Sequence, residues 1–418
     1  MFPLQFRSGL WHHPDFRKLW IGQTISSLGS EMTNFALPLT AVFTLHATPI
    51  EMGMLGAAQF TPFLLLGLFA GVWVDRLRRR PILIGADLGR ALLLGTIPLM
   101  AVLGWLRIEL LYSVAFCVGI LTVFFDVAYH SFLTSLVKRE ELMEGNSKLF
   151  ASRSIAQTIG PGLAGSLVQL LSAPVVIMFD GLSFLVSVFF LSLIHIKEPT
   201  PEPADTSQNI WQAISEGLQW MIQHSLMRPL TACFTTLNFF WCLLLSVNLL
   251  YLTRELGITP TLLGVIFAIS SIGAILGALL SAYVVRLWGL GSTLIGSIFG
   301  CGLGFLCTPL VSGTQPMMVL LLSLAGFLSG LMGMINNVNQ LSLRQAIAPD
   351  HLQGRVNATT RFLVWGIRPV GFLIGGILAE VVGVRATLLV GAVGMLLSVL
   401  WLWFSPVRHL RQLSASDV

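Results

Sequence analysis

Twelve apolar runs, each near the length of a bilayer crossing, leave this chain one kind of place to fold. They lie at roughly 19–43, 52–74, 81–103, 110–135, 147–171, 174–194, 230–252, 261–285, 291–311, 317–342, 356–381 and 384–404. A helix rising about 1.5 Å per residue needs about 20 residues to cross a hydrocarbon core of about 30 Å. Composition agrees: 55% of the residues are hydrophobic and 10% charged, where a soluble domain carries about a quarter charged residues. Lipid offers no partner to backbone N–H and C=O groups, so helices that satisfy their own are the expected spanning element. The expected fold class is an all-α integral membrane protein with twelve transmembrane helices.

An even number of crossings puts both termini on one face. Seventeen basic residues fall in loops on that face, among them Arg76, Arg78, Arg79, Arg80, Lys138 and Arg344, against only Arg107, Arg254 and Arg385 opposite. Lys and Arg collect on the cytoplasmic side of membrane proteins, so both termini are expected in the cytoplasm. The net charge of +5 follows from that bias and gives no argument for a nucleic-acid partner. The five cysteines fall inside expected helices, which predicts free thiols rather than a disulfide framework. No small-residue cleavage site follows the first apolar run, so it is expected to stay as the first helix.

The one long break in hydrophobicity is 195–229. It opens on Lys197-Glu198-Pro199-Thr200-Pro201-Glu202-Pro203, a linker composition. Ile210, Trp211, Ile214, Leu218 and Met221 then repeat at helical spacing, which predicts an amphipathic helix on the cytoplasmic surface. The expected organisation is a six-helix half at 1–194, the linker at 195–229, a second half at 230–404 and a cytoplasmic tail at 405–418.

Polar residues inside apolar runs are costly against lipid, so they point to a cavity or a partner helix. Thr24, Ser27, Glu31 and Asn34 share one face of the first helix. Asp87 and Arg90, three apart on the third helix, are expected to pair locally. Asp126, Tyr129 and His130 share a face of the fourth helix, and Arg153 and Gln157 precede Gly160-Pro161 on the fifth. Asp126 and Arg153 lie at similar depth and are expected either to pair or to face the transport path. The sixth helix carries Asp180, and the eleventh has Asn357, Arg361, Trp365 and Arg368 on one cationic, aromatic face. That face would attract an anionic group or balance acids across the interface between halves.

A shift of 211 residues lays the second half on the first: Thr48-Pro49 meets Thr259-Pro260, Gly53 meets Gly264, Asn146 meets Asn357, Gly160 meets Gly371 and Gly165 meets Gly376. Ser27 and Glu31 fall on Asn238 and Cys242, Asp126 on Asn337, and Gln157 on Arg368. A collinear series of this length predicts two pseudo-symmetric six-helix halves, with a binding region between them near mid-membrane.

The stretch from Gly71 to Arg80 closes the second run. Charge bias accounts for its arginines, but not for Asp75, nor for Gly67, Ala70 and Gly71, small residues that would let the helix end approach a neighbour. Its Gly-x-x-x-Asp-Arg-x-x-Arg-Arg pattern resembles the loop signature between the second and third helices of the major facilitator superfamily, with Arg78 where that signature usually has glycine. His13-Pro14-Asp15-Phe16-Arg17 with Gln23, Ser26 and Gly29 is similar to the opening of bacterial exporters of the macrolide-efflux and enterobactin-export branch. Ile159-Gly160-Pro161, Asp180–Leu185 and Glu216–Trp220 are similar to the same branch, with Ala164 at a position the antiporter pattern gives to glycine.

The resemblance implies secondary active transport by alternating access: efflux of a small amphiphilic organic substrate from the bacterial cytoplasm in exchange for protons. It also implies a multi-pass protein of the bacterial inner membrane, monomeric, with no cofactor beyond the proton gradient. The candidate proton and substrate residues are Glu31, Asn34, Asp126, Arg153, Asn238, Asn337, Arg361, Trp365 and Arg368. The candidate gating residues are Gly71, Asp75, Arg76, Arg79, Gly160 and Pro161. Glu31 is the foremost proton site, because a desolvated carboxyl can titrate between two access states; a buried acid satisfied by Ser27 or Asn34 is the alternative. A lipid or lysolipid flippase and a nutrient importer are the competing transport readings. A membrane enzyme is disfavoured, since His130, His195 and His224 match no metal-ligand spacing.

Overall fold

The computed structural model describes residues 9–67, 69–75, 77–138, 141–195, 218–347, 349 and 353–411. Among them twelve helical spans follow one another. These are α1 (Pro14–Leu39), α2 and α3 (Pro49–Leu66 and Phe69–Asp75), α4 (Arg79–Val102), α5 (Ile108–Leu136), α6 (Leu142–Leu171) and α7 (Ala173–Ser192). The second set is α8 (Met227–Leu250), α9 (Pro260–Trp288), α10 (Leu290–Cys307), α11 (Gln315–Ile347), α12 and α13 (Gln353–Gly366 and Arg368–Val382), and α14 and α15 (Val384–Ser398 and Leu400–Trp403). Every expected run lies on one of these spans. Nine described spans are long and apolar enough to cross a bilayer on those criteria alone. Two of the other three, α1 and α6, carry the polar stripes, and the third is broken into α2 and α3.

Three breaks and two widened turns depart from the twelve uninterrupted helices expected. The second span is interrupted at Gly67, the twelfth at Val399 and the eleventh at Ile367. Pro369 explains the latter: it brings no N–H, and its ring would strike the carbonyl four residues back, so the helix restarts with Pro369 in its first turn. α1 and α8 both end in a five-residue π-helical turn, Thr40–Thr44 and Tyr251–Glu255. The closing bonds are Leu45 N–H to the Thr40 carbonyl (3.3 Å) and Leu256 N–H to the Tyr251 carbonyl (3.1 Å). These turns stand 211 residues apart, so the repeat extends to backbone irregularities. The next helices start alike, on Thr48-Pro49 and Thr259-Pro260. Thr48 completes a capping box: its hydroxyl accepts from Glu51 N–H and its own N–H donates to the Glu51 carboxylate (2.7 Å).

Packing repeats as well. α1 lies against α6 and α7, and α4 against α5 and α7; correspondingly α8 lies against α13 and α14, and α10 against α11 and α14. The halves meet along two seams, α2 with α13 and α6 with α9. Each seam carries a glycine pair. A Cβ built on Gly53 would stand 3.0 Å from the Gly376 Cα, and one on Gly165 would stand 3.0 Å from the Gly264 Cα. Those two pairs exchange under the 211-residue shift. Only residues without side chains let backbones approach so closely.

Gly71 does not behave as expected. No described atom lies within 4 Å of a Cβ built there, so its missing side chain accommodates no described neighbour. Arg76, most of the expected amphipathic segment, and the side chains of Asp75, His130, Asn357 and Arg361 lie outside the described residues. At the edge of that segment Met221 is buried in an apolar cluster with Met227 and Leu230, and the Thr360 hydroxyl rests 3.8 Å from its sulfur. All five cysteines are free thiols.

Candidate transport site

Glu31 sits half-buried on the α1 face that meets α6. Asn34 and Gln157 are polar neighbours of its carboxylate, and Arg153 is the cation close to it, without an ion pair formed between them. Gly160 makes room for this group, since a Cβ there would stand 2.7 Å from the Glu31 Cβ. The Gln157 carbonyl accepts from the Ser271 hydroxyl of α9 at 3.1 Å, and the Asn34 amide oxygen accepts from Gln59 of α2 at 3.3 Å. The neighbours of the acid thus reach one element of each seam, α2 of its own half and α9 of the other. Pro161 lies in the same close contact, its carbonyl 2.8 Å from a Cβ built on Gly264.

Of the two alternatives for Asp126 and Arg153, the pair is not formed: among the described residues no ion pair or hydrogen bond involves Asp126. Arg153 acts on Glu31 instead, while Tyr129 feels both Arg153 and Asp126. Arg79 opens α4 and is half-buried.

In the second half the arrangement carries the opposite charge. The Arg368 guanidinium donates through Nε (3.3 Å) and Nη2 (3.2 Å) to the Asn238 amide oxygen. Three aromatic rings surround it: Trp365 at 4.4 Å, Phe60 at 5.2 Å and Trp241 at 5.4 Å from centroid to Cζ. Such contacts hold a cation through the ring quadrupole without cancelling its charge. Arg368 belongs to no ion pair among the described residues. It lines a cavity of about 1230 Å³ inside this half, together with Asn238, Asn337 and Trp365. Four of the residues singled out from the sequence are therefore brought to one wall. Trp241, Asn336 and Arg344 also line it and were missed. Helical spacing carried a signal, because Asn238 and Trp241 are three apart, and Asn337 and Arg344 are seven apart.

A separate polar cluster lies between α1, α4 and α7. Arg90 is bonded to Asp87, as expected, and its guanidinium is layered between the rings of Phe125 (4.3 Å) and Phe184 (4.2 Å). Asp180 accepts from the hydroxyls of Ser183 (3.1 Å) and Ser30 (3.4 Å). Asp87 is fully buried and Asp180 is 2% exposed. Among the described residues no three His, Cys, Asp or Glu side chains gather as a metal site.

Two similar six-helix halves, seamed by glycines and holding charged residues within the bundle, define a membrane transporter. A sequence profile described as Major Facilitator Superfamily matches residues 19–367 and 230–417, and the chain belongs to that superfamily. It is 26% identical over 377 residues to the "Multidrug efflux pump Tap" of Mycolicibacterium fortuitum, covering 88% of this chain and 90% of the relative. It is 22% identical over 385 residues to "Macrolide efflux protein A" of Streptococcus pyogenes, again covering 88% and 90%. These likenesses agree with the efflux branch that the sequence motifs resemble. Among solved structures, a bacterial homologue of the iron transporter ferroportin, inward-facing, superposes with a TM-score of 0.69 at 17% identity, covering 95% of this chain and 99% of the other. A point mutant of the nucleoside transporter NupG superposes with a TM-score of 0.72 at 14% identity, covering 93% and 99%. At such identities these structures speak to the fold alone.

Proposed function

We propose that the chain is a secondary active transporter of the bacterial inner membrane, a monomer with both termini in the cytoplasm, which exports amphiphilic small molecules in exchange for protons by alternating access. Glu31 is the coupling acid. The observation that carries this reading is the position of Glu31, packed against Gly160, countered by Arg153, and linked through Gln157 and Asn34 to α9 and α2.

A proton on Glu31 cancels the charge that holds Arg153, so protonation alters packing next to both seams at once. A ligand shifts such an equilibrium only through its different affinity for the two states. A carboxyl that carries its proton in one access state and loses it in the other supplies that difference. Pro161, Gly160 and the motif residues Asp75, Arg76 and Arg79 would govern the opening of the seams. Efflux in the names of the relatives supports the outward direction.

Inside-out vesicles energised to an acidic interior, read with a pH-sensitive dye, test the proposal. With a panel of macrolides, siderophores and charged amphiphiles, at least one compound is expected to release protons, and Glu31→Gln is expected to abolish that release. Release that survives Glu31→Gln would move the coupling site elsewhere, with Asp126 next. Silence across the panel, with labelled lysolipid flipped instead, would replace antiport with the flippase reading.

A further inference from the structure

The cavity of the second half has a charge pattern that the export reading leaves unused. Two guanidiniums line it, Arg344 and Arg368, and its described lining contains no Asp or Glu. Neither arginine belongs to an ion pair among the described residues. The Nε of Arg344 is buried without a hydrogen-bond partner, and so is the Oδ1 of Asn336 on the same wall. A cation inside a membrane-spanning bundle ordinarily finds a counter-charge or backbone carbonyls. Two cations in one cavity without an acid form a field that a ligand can complete, and the guanidinium fork matches carboxylate and phosphate geometry.

The rest of the wall fits the body of such a ligand. Trp241 and Trp365 present flat, largely apolar rings beside Arg368. Asn337 and Gln340 add uncharged donors and acceptors. Thr360 lines a small recess with Arg344. Arg368 lies eight residues beyond Thr360 in sequence, which corresponds to about 12 Å of helix. The two cationic positions are thus spread along the cavity, with the aromatic surface grouped around one of them.

We infer that this cavity binds amphiphiles bearing negative groups, carboxylate or phosphate, which Arg344 and Arg368 hold while the indoles take the apolar part. The inference rests on the reading of the chain as a carrier of amphiphiles, and it narrows the cargo to anions. Cationic drugs, the commonest amphiphiles in an efflux panel, meet the wrong sign here.

The test compares three pyrene probes on purified protein in lipid nanodiscs, read by energy transfer from tryptophan to pyrene. They are 1-pyrenebutyrate, the matched cation pyrenebutyl-trimethylammonium, and lysophosphatidate with a pyrene-labelled chain. Pyrenebutyrate is expected to bind saturably and at least about tenfold more tightly than the cation. Arg344→Gln and Arg368→Gln are each expected to weaken it about tenfold, with Arg344→Lys, which keeps the charge and loses the fork, falling between Arg344→Gln and wild type. Lysophosphatidate tighter than pyrenebutyrate would place the source of cargo in the bilayer, and the reverse order would place it in the aqueous phase; both orders support the anion site.

Thermal midpoints and monodisperse elution report whether the variants fold. If Arg368→Gln does not fold, the salt dependence of wild-type binding replaces it. Anion affinity should then fall severalfold between about 0.05 and 0.5 M salt, while that of the cation holds. Equal or tighter binding of the cation, or glutamine variants with unchanged anion affinity, would overturn the inference. Binding needs no proton gradient, so the two readings fail separately. Anion binding without proton release would leave the site standing and remove antiport, whereas protons released by cations alone would do the opposite.

Discussion

Arg90 illustrates how one residue stays charged inside an apolar bundle. Its guanidinium is sandwiched by Phe125 and Phe184 and bonded to Asp87, while Asp180 is kept by the hydroxyls of Ser183 and Ser30. Removing the cation leaves the fully buried Asp87 without its partner, so Arg90→Leu should cost about 3–5 kcal/mol. Asp180→Asn keeps the hydroxyl contacts, breaks no ion pair, and should cost well under half as much. Thermal midpoints in one detergent compare them, and equal losses would count against this description of the cluster. The local Asp87–Arg90 pair was legible from spacing; the approach of Asp180 on α7 to Ser30 on α1 was not, since only packing brings those helices together. Arg344 was hidden for a different reason. In sequence it is one of seventeen basic residues on the orienting face, and only the fold turns it toward a cavity.

At the scale of elements, what the chain needs is close contact between particular helices. α1 and α6 touch where Gly160 faces Glu31, and a larger side chain there must push one of them away. Gly160→Val should therefore destabilise by about 1–3 kcal/mol and depress transport more than the loss of stability explains. Wild-type transport rates at matched protein levels would show the contact to be dispensable. The apolar runs made all twelve spans legible, and Gly160 stood out as a place for close packing, but Glu31 as the residue it meets came only from the fold. The breaks at Gly67, Ile367 and Val399 were not legible, because a run of lipid-compatible residues reads as continuous whether or not its backbone is. Pro369 was the available signal for one of them. The π-helical turns at Thr40–Thr44 and Tyr251–Glu255 carry no side-chain signature strong enough to reveal them.

For the whole molecule the repeat is the organising fact. The halves are copies in path, turn and packing, yet one places an acid on α1 beside α6 and the other an arginine on α13, the counterpart of α6, in its cavity. That division of charge supports protons on one side and cargo on the other. It was partly visible in sequence: Glu31 falls on Cys242 and Gln157 on Arg368 under the same shift. The cavity itself was not, because enclosure depends on six helices at once.

Alternating access requires the seams to part. A disulfide formed between Gln169→Cys of α6 and Thr261→Cys of α9, whose side chains bond to each other across the second seam, with the exposed Cys307 replaced by serine, should therefore stop transport until a reductant is added. Undiminished transport in the cross-linked protein would mean that this seam stays closed throughout the cycle.

The proposed coupling has an amphiphile moved uphill by protons that pass through Glu31. Accumulation in proteoliposomes containing only this protein measures it. With an acidic lumen, the bound amphiphile should concentrate inside to a ratio that rises with the imposed pH difference. That ratio should collapse to unity with a protonophore or in Glu31→Gln. An internal concentration that never exceeds the external one, at any pH difference, would contradict the account and leave a passive carrier in its place.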